Sequence, residues 1–565
     1  MVERFLNFFQ REFNGLHEAA LLLGLSAVLS QILALIRDRL LAASFGAGSE
    51  LDIYYAAFRL PDLLYVAIGS FVSVTVVLPF LLRHIAAGDR QAAENLLADL
   101  FGRFLGLMLV VEIVVYFLLP HLLGLVAPGF APAARLQLLS LSRILLLSPL
   151  LLGLSNLLAS LTQSSRKFFL FALSPILYNL GIILGIIFLY PRWGLVGLVW
   201  GVVLGTLGHL AIQWPALRRG PVTLRWSSIF RWSAGGKSEW RKIFLLSWPR
   251  TLALSANQLA TMVLVALASY LAAGSIAVFN FAYNLQATIV SIIGVSYSVA
   301  AFPTLVRLFS NGERTKFINQ MAVTVRHIIF WSLPALALFI VLRAQIVRVI
   351  LGAGKFDWGD TRLVAAALAI FLVSVAAQSL VLLFVRGYYA CGKTVKPLLV
   401  NVLSSILIVL LALGLLRLIR QSTSIKLLFG DFLRVADVAG MELLVLPLAF
   451  SLGMIINLII FWRSFRRDFG PFPKLFYRSL GQVAAAALGA AVAAYFLLQI
   501  LAPSLDQSTF WGIFNQGWLA GVGGIAAAVF ILRRLGNEEM TEISRSFRHK
   551  FWQRAAPVLP ATEEL

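Results

Sequence analysis

Residues 34–64 read ALIRDRLLAASFGAGSELDIYYAAFRLPDLL. Both flanks are apolar enough to sit in lipid, yet the stretch holds Arg37, Asp38, Arg39, Glu50, Asp52, Arg59 and Asp62. It reads as a helical hairpin whose turn is FGAGSE at 45–50. Arg37 lies nine residues before Gly46, about 13 Å along a helix, and Arg59 eleven residues after Gly48, about 16 Å. In a hydrocarbon core about 30 Å thick, both arginines approach the midplane from adjacent helices. Each would cost about 3 kcal/mol if it faced lipid, so both must face protein or water. Asp62 is one turn from Arg59 and Asp52 two turns away, so local pairing can offset part of that cost. Two readings stay open at this point. One is an ion-pair network locking the first two spans; the other is a hydrated, cationic cavity suited to phosphate oxygens, which a guanidinium fork matches with two hydrogen bonds.

The rest of the chain agrees that lipid is the solvent. Of 565 residues, 60% are hydrophobic and 13% charged, and the mean hydropathy is +0.88. A soluble domain needs more polar surface. Apolar runs long enough to span a bilayer recur from end to end, without the alternation of barrel strands. The expected fold is an all-α polytopic membrane protein with fourteen transmembrane helices between residues 18 and 533. The net charge of +22 does not mark a nucleic-acid binder, because the basic residues sit in short loops between apolar runs. The loops after spans 2, 4, 6, 8, 10 and 12 carry Lys and Arg, whereas those after spans 1, 7 and 13 carry none. This bias places both termini in the cytoplasm of a cell whose inner membrane holds the chain as a multi-pass protein. The lone Cys391 excludes an internal disulfide and a cysteine metal site.

Two segments recur. PFLLRHIAAGDR at 79–90 matches PTLVRLFSNGER at 303–314, and PILYN at 175–179 matches PLLVN at 397–401. The offsets, 224 and 222, cover six spans, so the copies share one orientation and should be related by an axis along the membrane normal. The expected organisation is an N-terminal interfacial segment (1–17), an N-lobe (18–219), a basic linker (220–241), a C-lobe (242–465), two further helices (466–535) and a tail (536–565). The two lobes are then pseudo-symmetric six-helix bundles with a substrate cleft between them. Phe5, Phe9 and Phe13 suit a short interfacial helix or an extension of span 1. In the tail, Met540, Ile543, Phe547 and Phe551 share a helical face flanked by basic residues, which suits a helix resting on an anionic leaflet or a solvated basic tail.

Further polar groups lie within the spans: Glu112, Arg143, Arg250, Asn280, Asn284 and Gln286. A single Asn or Gln there is more often interhelical glue than a ligand. Pro175, Pro249, Pro303, Pro334 and Pro397 are sites for kinks. No P-loop and no catalytic set is present, and the six histidines lack metal-ligand spacing. The chain is therefore expected to be no enzyme and to hold no cofactor or metal. A passive or ion-coupled transporter remains, driven by Na+, H+ or the membrane potential.

The hairpin resembles the first one of the MurJ/MviN family, lipid II flippases of the MOP superfamily. The matching elements are Arg37-Asp38, FGAG at 45–48, Asp52, and FRLP at 58–61, with Asp62 where the family usually has Asn. Residues 255–285 are similar to the family's span 7–8 region and residues 387–401 to its span 10–11 turn. The resemblance implies alternating access that carries a lipid-linked, undecaprenyl-pyrophosphate peptidoglycan precursor from the inner to the outer leaflet, with arginines holding the pyrophosphate. Arg37 matches one of these arginines. Gln31, Tyr65, Val66 and Asn284 stand where the family often has basic residues. Asn401 matches the first ligand of a sodium site that some members have, but Ser405 replaces the second. On this reading the substrate site comprises Arg37, Asp38, Asp52, Arg59, Arg143, Arg250 and Asn284, with Asn401 as the ion ligand. The implied partners are the pyrophosphate lipid, membrane lipids and cell-wall synthesis proteins, around a monomer. A polysaccharide-lipid flippase, a multidrug exporter of the same superfamily and a transport-inactive cell-wall scaffold are the alternatives.

Overall fold

A computed structural model describes residues 16–72, 74–164, 167–214, 234–473 and 475–552. The expected interfacial helix before residue 16, most of the basic linker and the last thirteen residues lie outside these. Every described element is helical. The chain runs through α1 (Leu16–Phe45), α2 (Ser49–Ala57), α3 (Arg59–Ile68), α4 (Val74–Ala86), α5 (Arg90–Val126), α6 (Pro132–Leu145), α7 (Leu147–Ser164), α8 (Phe168–Leu184) and α9 (Tyr190–Ala211). It continues through α10 (Ala234–Ala268), α11 (Ser275–Val290), α12 (Ser296–Ser310), α13 (Arg314–Val341), α14 (Arg343–Leu351), α15 (Trp358–Leu372) and α16 (Val375–Ala390). The last elements are α17 (Val395–Gln421), α18 (Thr423–Leu433), α19 (Val445–Phe469), α20 (Leu475–Leu501), α21 (Phe510–Arg534) and α22 (Glu538–Trp552).

Among the described residues, ten helices are long and apolar enough to cross a membrane, eleven if the bent pair α15–α16 is one span. Three features separate that number from the expected fourteen. α1 carries Arg37, Asp38 and Arg39 in its second half, and the next apolar run is broken into α2, α3 and α4. The 43-residue run Phe169–Ala211 is counted once, yet it folds back at Gly194, where φ is +59°. Its arms meet along a glycine seam. A Cβ on Gly181 would lie 2.3 Å from Gly205 Cα, and one on Gly185 2.7 Å from Gly201 Cα. Small residues let helix backbones touch where no water drives them together.

Pro175, Pro249, Pro303 and Pro334 lie inside helices that continue past them. The interruptions fall elsewhere: at π-type turns over Gly185–Leu189 and Ser291–Val295, and at the 43° bend between α15 and α16. The 79–90 and 303–314 repeat is a repeat of structure too. Gly88 and Gly312 have φ +71° and +74°. The next amide reaches back to His84 O and Leu308 O at 3.1 and 3.0 Å, which is one helix-ending motif used twice. α5 and α13 then start at Arg90 and Arg314.

Two compact units make up the chain, and they cut across the division by repeat. The first comprises residues 1–284, 350–367 and 394–453. One hydrophobic cluster in it joins Val77, Leu97, Phe101, Phe104, Leu157 and Ile243, from α4, α5, α7 and α10. The second comprises 285–349, 368–393 and 454–565. Phe384, Phe465, Phe469 and Phe472 interlock there at centroid distances of 4.8–6.4 Å. The tail helix α22 belongs to this unit and is tied down by acids. Glu538 and Glu539 reach Arg326 at 3.2 and 2.9 Å, and Ser479 donates to Glu539. The expected leaflet-facing side chains Phe547 and Phe551 lie outside the described side chains.

Candidate functional site

The charged hairpin lies wholly in the first unit, and its partners there are distant in sequence. Asp52, 5% exposed, does not turn toward Arg59. Its Oδ2 accepts the Gly274 N–H at 2.7 Å and its Oδ1 the Ala277 N–H at 2.8 Å. The carboxylate thus caps the start of α11, where free amides and the helix dipole favour a negative charge. The turn is clasped as well. Asp360 Oδ2 accepts the Ala47 N–H at 3.1 Å, Lys355 N–H donates to Ala43 O at 2.9 Å, and Arg39 donates to Ile350 O at 3.3 Å. Backbone meets backbone here, which only glycine permits. A Cβ on Gly274 would sit 1.8 Å from Ala47 O, and one on Gly354 2.3 Å from Ala43 O.

Deeper along the arms lie the two arginines. Arg37 donates to Asp38 Oδ1 from Nε and Nη2 at 2.9 and 2.7 Å, and to Asn179 Oδ1 at 3.1 Å. Asn179 is steadied in turn by Pro175 O and Ser30. Asp38 accepts a further bond from Asn284 Nδ2 at 3.3 Å. Arg59, 8% exposed, donates to Asn280 Oδ1, while its Nε has no partner. Asn280 is oriented by its own bond to Ile276 O at 2.7 Å. Thus α1, α3 and α11 meet through two guanidiniums, one carboxylate and two amides, set below a clasped turn. Asn284 supplies an amide to Asp38.

The structure brings together Arg37, Asp38, Asp52, Arg59 and Asn284. Arg143 stands apart, with its guanidinium 4.7 Å over the Tyr116 ring in a cavity it shares with Glu112. Arg250 on α10 and Asn401 on α17 are half-buried, and the contacts above do not include them. Reasoning from sequence missed Asn179, Asp360, Gly274 and Gly354. Asn179 had a signal, because it is the repeat mate of Asn401.

Replacing Asp52 with Asn is expected to cost about 1–3 kcal/mol, because one of two buried N–H donors loses its acceptor and the helix end loses its charge. Thermal unfolding in detergent checks this; an unchanged midpoint would mean that the cap carries no weight.

Comparisons by sequence name one family, and comparisons by structure name it and a second. The family model described as "Lipid II flippase MurJ" matches residues 41–514. A curated relative from Buchnera aphidicola subsp. Acyrthosiphon pisum, described as "Probable lipid II flippase MurJ", is 26% identical over 378 residues, covering 66% of this chain and 73% of its own. Among solved structures, "Lipid II flippase MurJ, inward closed conformation" superposes with a TM-score of 0.69 at 19% identity, covering 91% of this chain and 99% of that one. An inward-facing multidrug resistance MATE family transporter of the MOP superfamily gives a TM-score of 0.60 at 15% identity, over 80% and 95% of the two chains.

Proposed function

The chain belongs to the lipid II flippase MurJ family, and from that premise we propose that it carries a lipid-linked peptidoglycan precursor from the inner to the outer leaflet by alternating access. The observation that supports this reading is the way the guanidiniums of Arg37 and Arg59 are held. Arg59 rests on an amide, and Arg37 on one amide and one carboxylate. A phosphate offers a guanidinium an opposite charge and two oxygens that match its fork, whereas an amide offers one neutral oxygen. A pyrophosphate can therefore displace Asn280 from Arg59 and Asn179 from Arg37.

The same displacement would loosen the hairpin. Asn280, Asn284 and the Asp52 cap all fasten it to α11, so a substrate that takes the arginines weakens that fastening from within. With the termini cytoplasmic, the clasped turn faces the outer side of the inner membrane and the lock holds the outward path shut. A Na+ or H+ gradient or the membrane potential would supply the drive, with Asn401 as a candidate ion ligand. The substrate is a pyrophosphate-linked saccharide on a long isoprenoid tail, the working unit is a monomer, and the chemistry is transport rather than catalysis.

The test is complementation of a bacterium depleted of its own lipid II flippase, paired with transport of a labelled pyrophosphate-linked disaccharide-peptide lipid in proteoliposomes. Rescue and transport together are expected. A chain that inserts correctly, fails to rescue and moves no such lipid would overturn the reading in favour of a transport-inactive scaffold.

A further inference from the structure

A second polar site lies in a cavity of about 600 Å³ walled by α5, α6 and α9 in the first unit. Its rim is open to the surroundings: Ile113 is 56% exposed and Phe117 72%. Since α5 is an apolar helix long enough to span a membrane, those surroundings are lipid tails. Set among apolar and aromatic walls are Glu112 and Arg143. Glu112 is 8% exposed; its carboxyl group takes the Leu150 backbone N–H, and its Oε1 is left without a hydrogen-bond partner. Arg143 is held over Tyr116, and its buried Nε has no partner either. Among the described residues no ion pair joins the two. A buried donor or acceptor left without a partner is costly, and the cavity holds one of each.

Depth and charge narrow what can satisfy them. Glu112 lies fourteen residues from the end of α5 at Val126, about 21 Å along the helix. Arg143 lies eleven residues from the start of α6 at Pro132, about 17 Å. Both are near the middle of a core about 30 Å thick. Phosphate and ammonium headgroups stay at the interface, so the group that reaches this depth is an uncharged one. One small group that both donates and accepts fits; a hydroxyl is that group. We propose that this cavity binds a neutral long-chain lipid alcohol from the bilayer, its hydroxyl donating to Glu112 Oε1 and accepting from Arg143 Nε–H, its chain lying on the aromatic wall. The site is separate from the hairpin cluster, and the argument for it does not depend on the transport reading.

The full chain in nanodiscs of phosphatidylethanolamine and phosphatidylglycerol, doped with a diazirine-bearing diacylglycerol and irradiated, tests this by peptide mapping. Labelling is expected on residues 109–117 and 143–147. Glu112→Gln, which still accepts a hydrogen bond, should keep it. Glu112→Leu should reduce it at least fivefold, and so should Ile113→Trp, which fills the cavity from its lipid-exposed rim and leaves the polar pair in place. Equal labelling of these peptides by a phosphatidylcholine carrying the same diazirine would overturn the proposal. So would labelling unchanged in both Glu112→Leu and Ile113→Trp.

Discussion

Gly274→Val should open the clasped turn. At this position φ is +88° and an added Cβ would lie 1.8 Å from Ala47 O. Two costs combine. A β-branched residue in the left-handed region is disfavoured by about 1–2 kcal/mol, and the clash is with backbone carbonyl, which cannot swing away as a flexible side chain would. A total of about 3 kcal/mol or more against the clasped arrangement is expected, roughly a hundredfold shift in its equilibrium. Cys391 is the chain's one cysteine, so an Ala47→Cys reporter in a Cys391→Ser background can be read with a membrane-impermeant maleimide. Labelling should rise at least tenfold in Gly274→Val. Gly312→Val is the control, since φ is +74° there and nothing lies within 4 Å of an added Cβ. It has the strain without the clash. Equal labelling in both variants would mean that the Gly274–Ala47 approach does not hold the turn.

Why the hairpin was legible, and its partners were not, follows from what each depends on. Charges in an apolar run stand out because lipid penalises them, so Arg37, Asp38, Asp52 and Arg59 can be found by inspection. What they bind depends on approach of segments 142 to 246 residues away, and spacing along a helix carries no record of that. Asp52 illustrates the difference. Two turns from Arg59, it has the spacing of a pairing acid, yet the unsatisfied amides at the start of α11 are the stronger claim on it. One hint was available: AGS at 47–49 recurs as AGS at 273–275, and α2 and α11 both start at its serine. The two copies abut, which is why Gly274 presses on Ala47. The prolines, read as sites for kinks, lie inside helices that continue past them. In lipid, neighbouring helices can re-satisfy the backbone around a proline, so a helix can run through it. Arg143 and Glu112 were each visible as charges in spans, but their meeting in one cavity depends on how α5, α6 and α9 pack.

The two arginines, Arg37 half-buried and Arg59 buried, should separate stability from transport. Arg37 is anchored by two bonds to Asp38 and one to Asn179. Arg37→Ala removes these and leaves Asp38, 4% exposed, with its charge uncompensated. Breaking a buried pair in this way costs about 3–5 kcal/mol, so both stability and transport should fall. Arg59 differs: its hydrogen bond goes to an amide, its Nε has none, and Asp62 acts on it through space without an ion pair among the described residues. Such a group contributes little to the folded state, because its desolvation is only partly offset. Arg59→Met, which keeps most of the side chain's volume, should therefore unfold within a few degrees of the wild-type midpoint, or above it. Its transport of the pyrophosphate-linked lipid should fall about 30- to 100-fold, the loss of about 2–3 kcal/mol of charge-assisted bonding. A structural lock and a substrate clamp predict opposite patterns here. If Arg59→Met destabilises the chain strongly while the folded fraction transports normally, the guanidinium serves the fold alone. If stability holds and transport fails, the residue is kept buried and under-bonded because the missing partner arrives with the substrate.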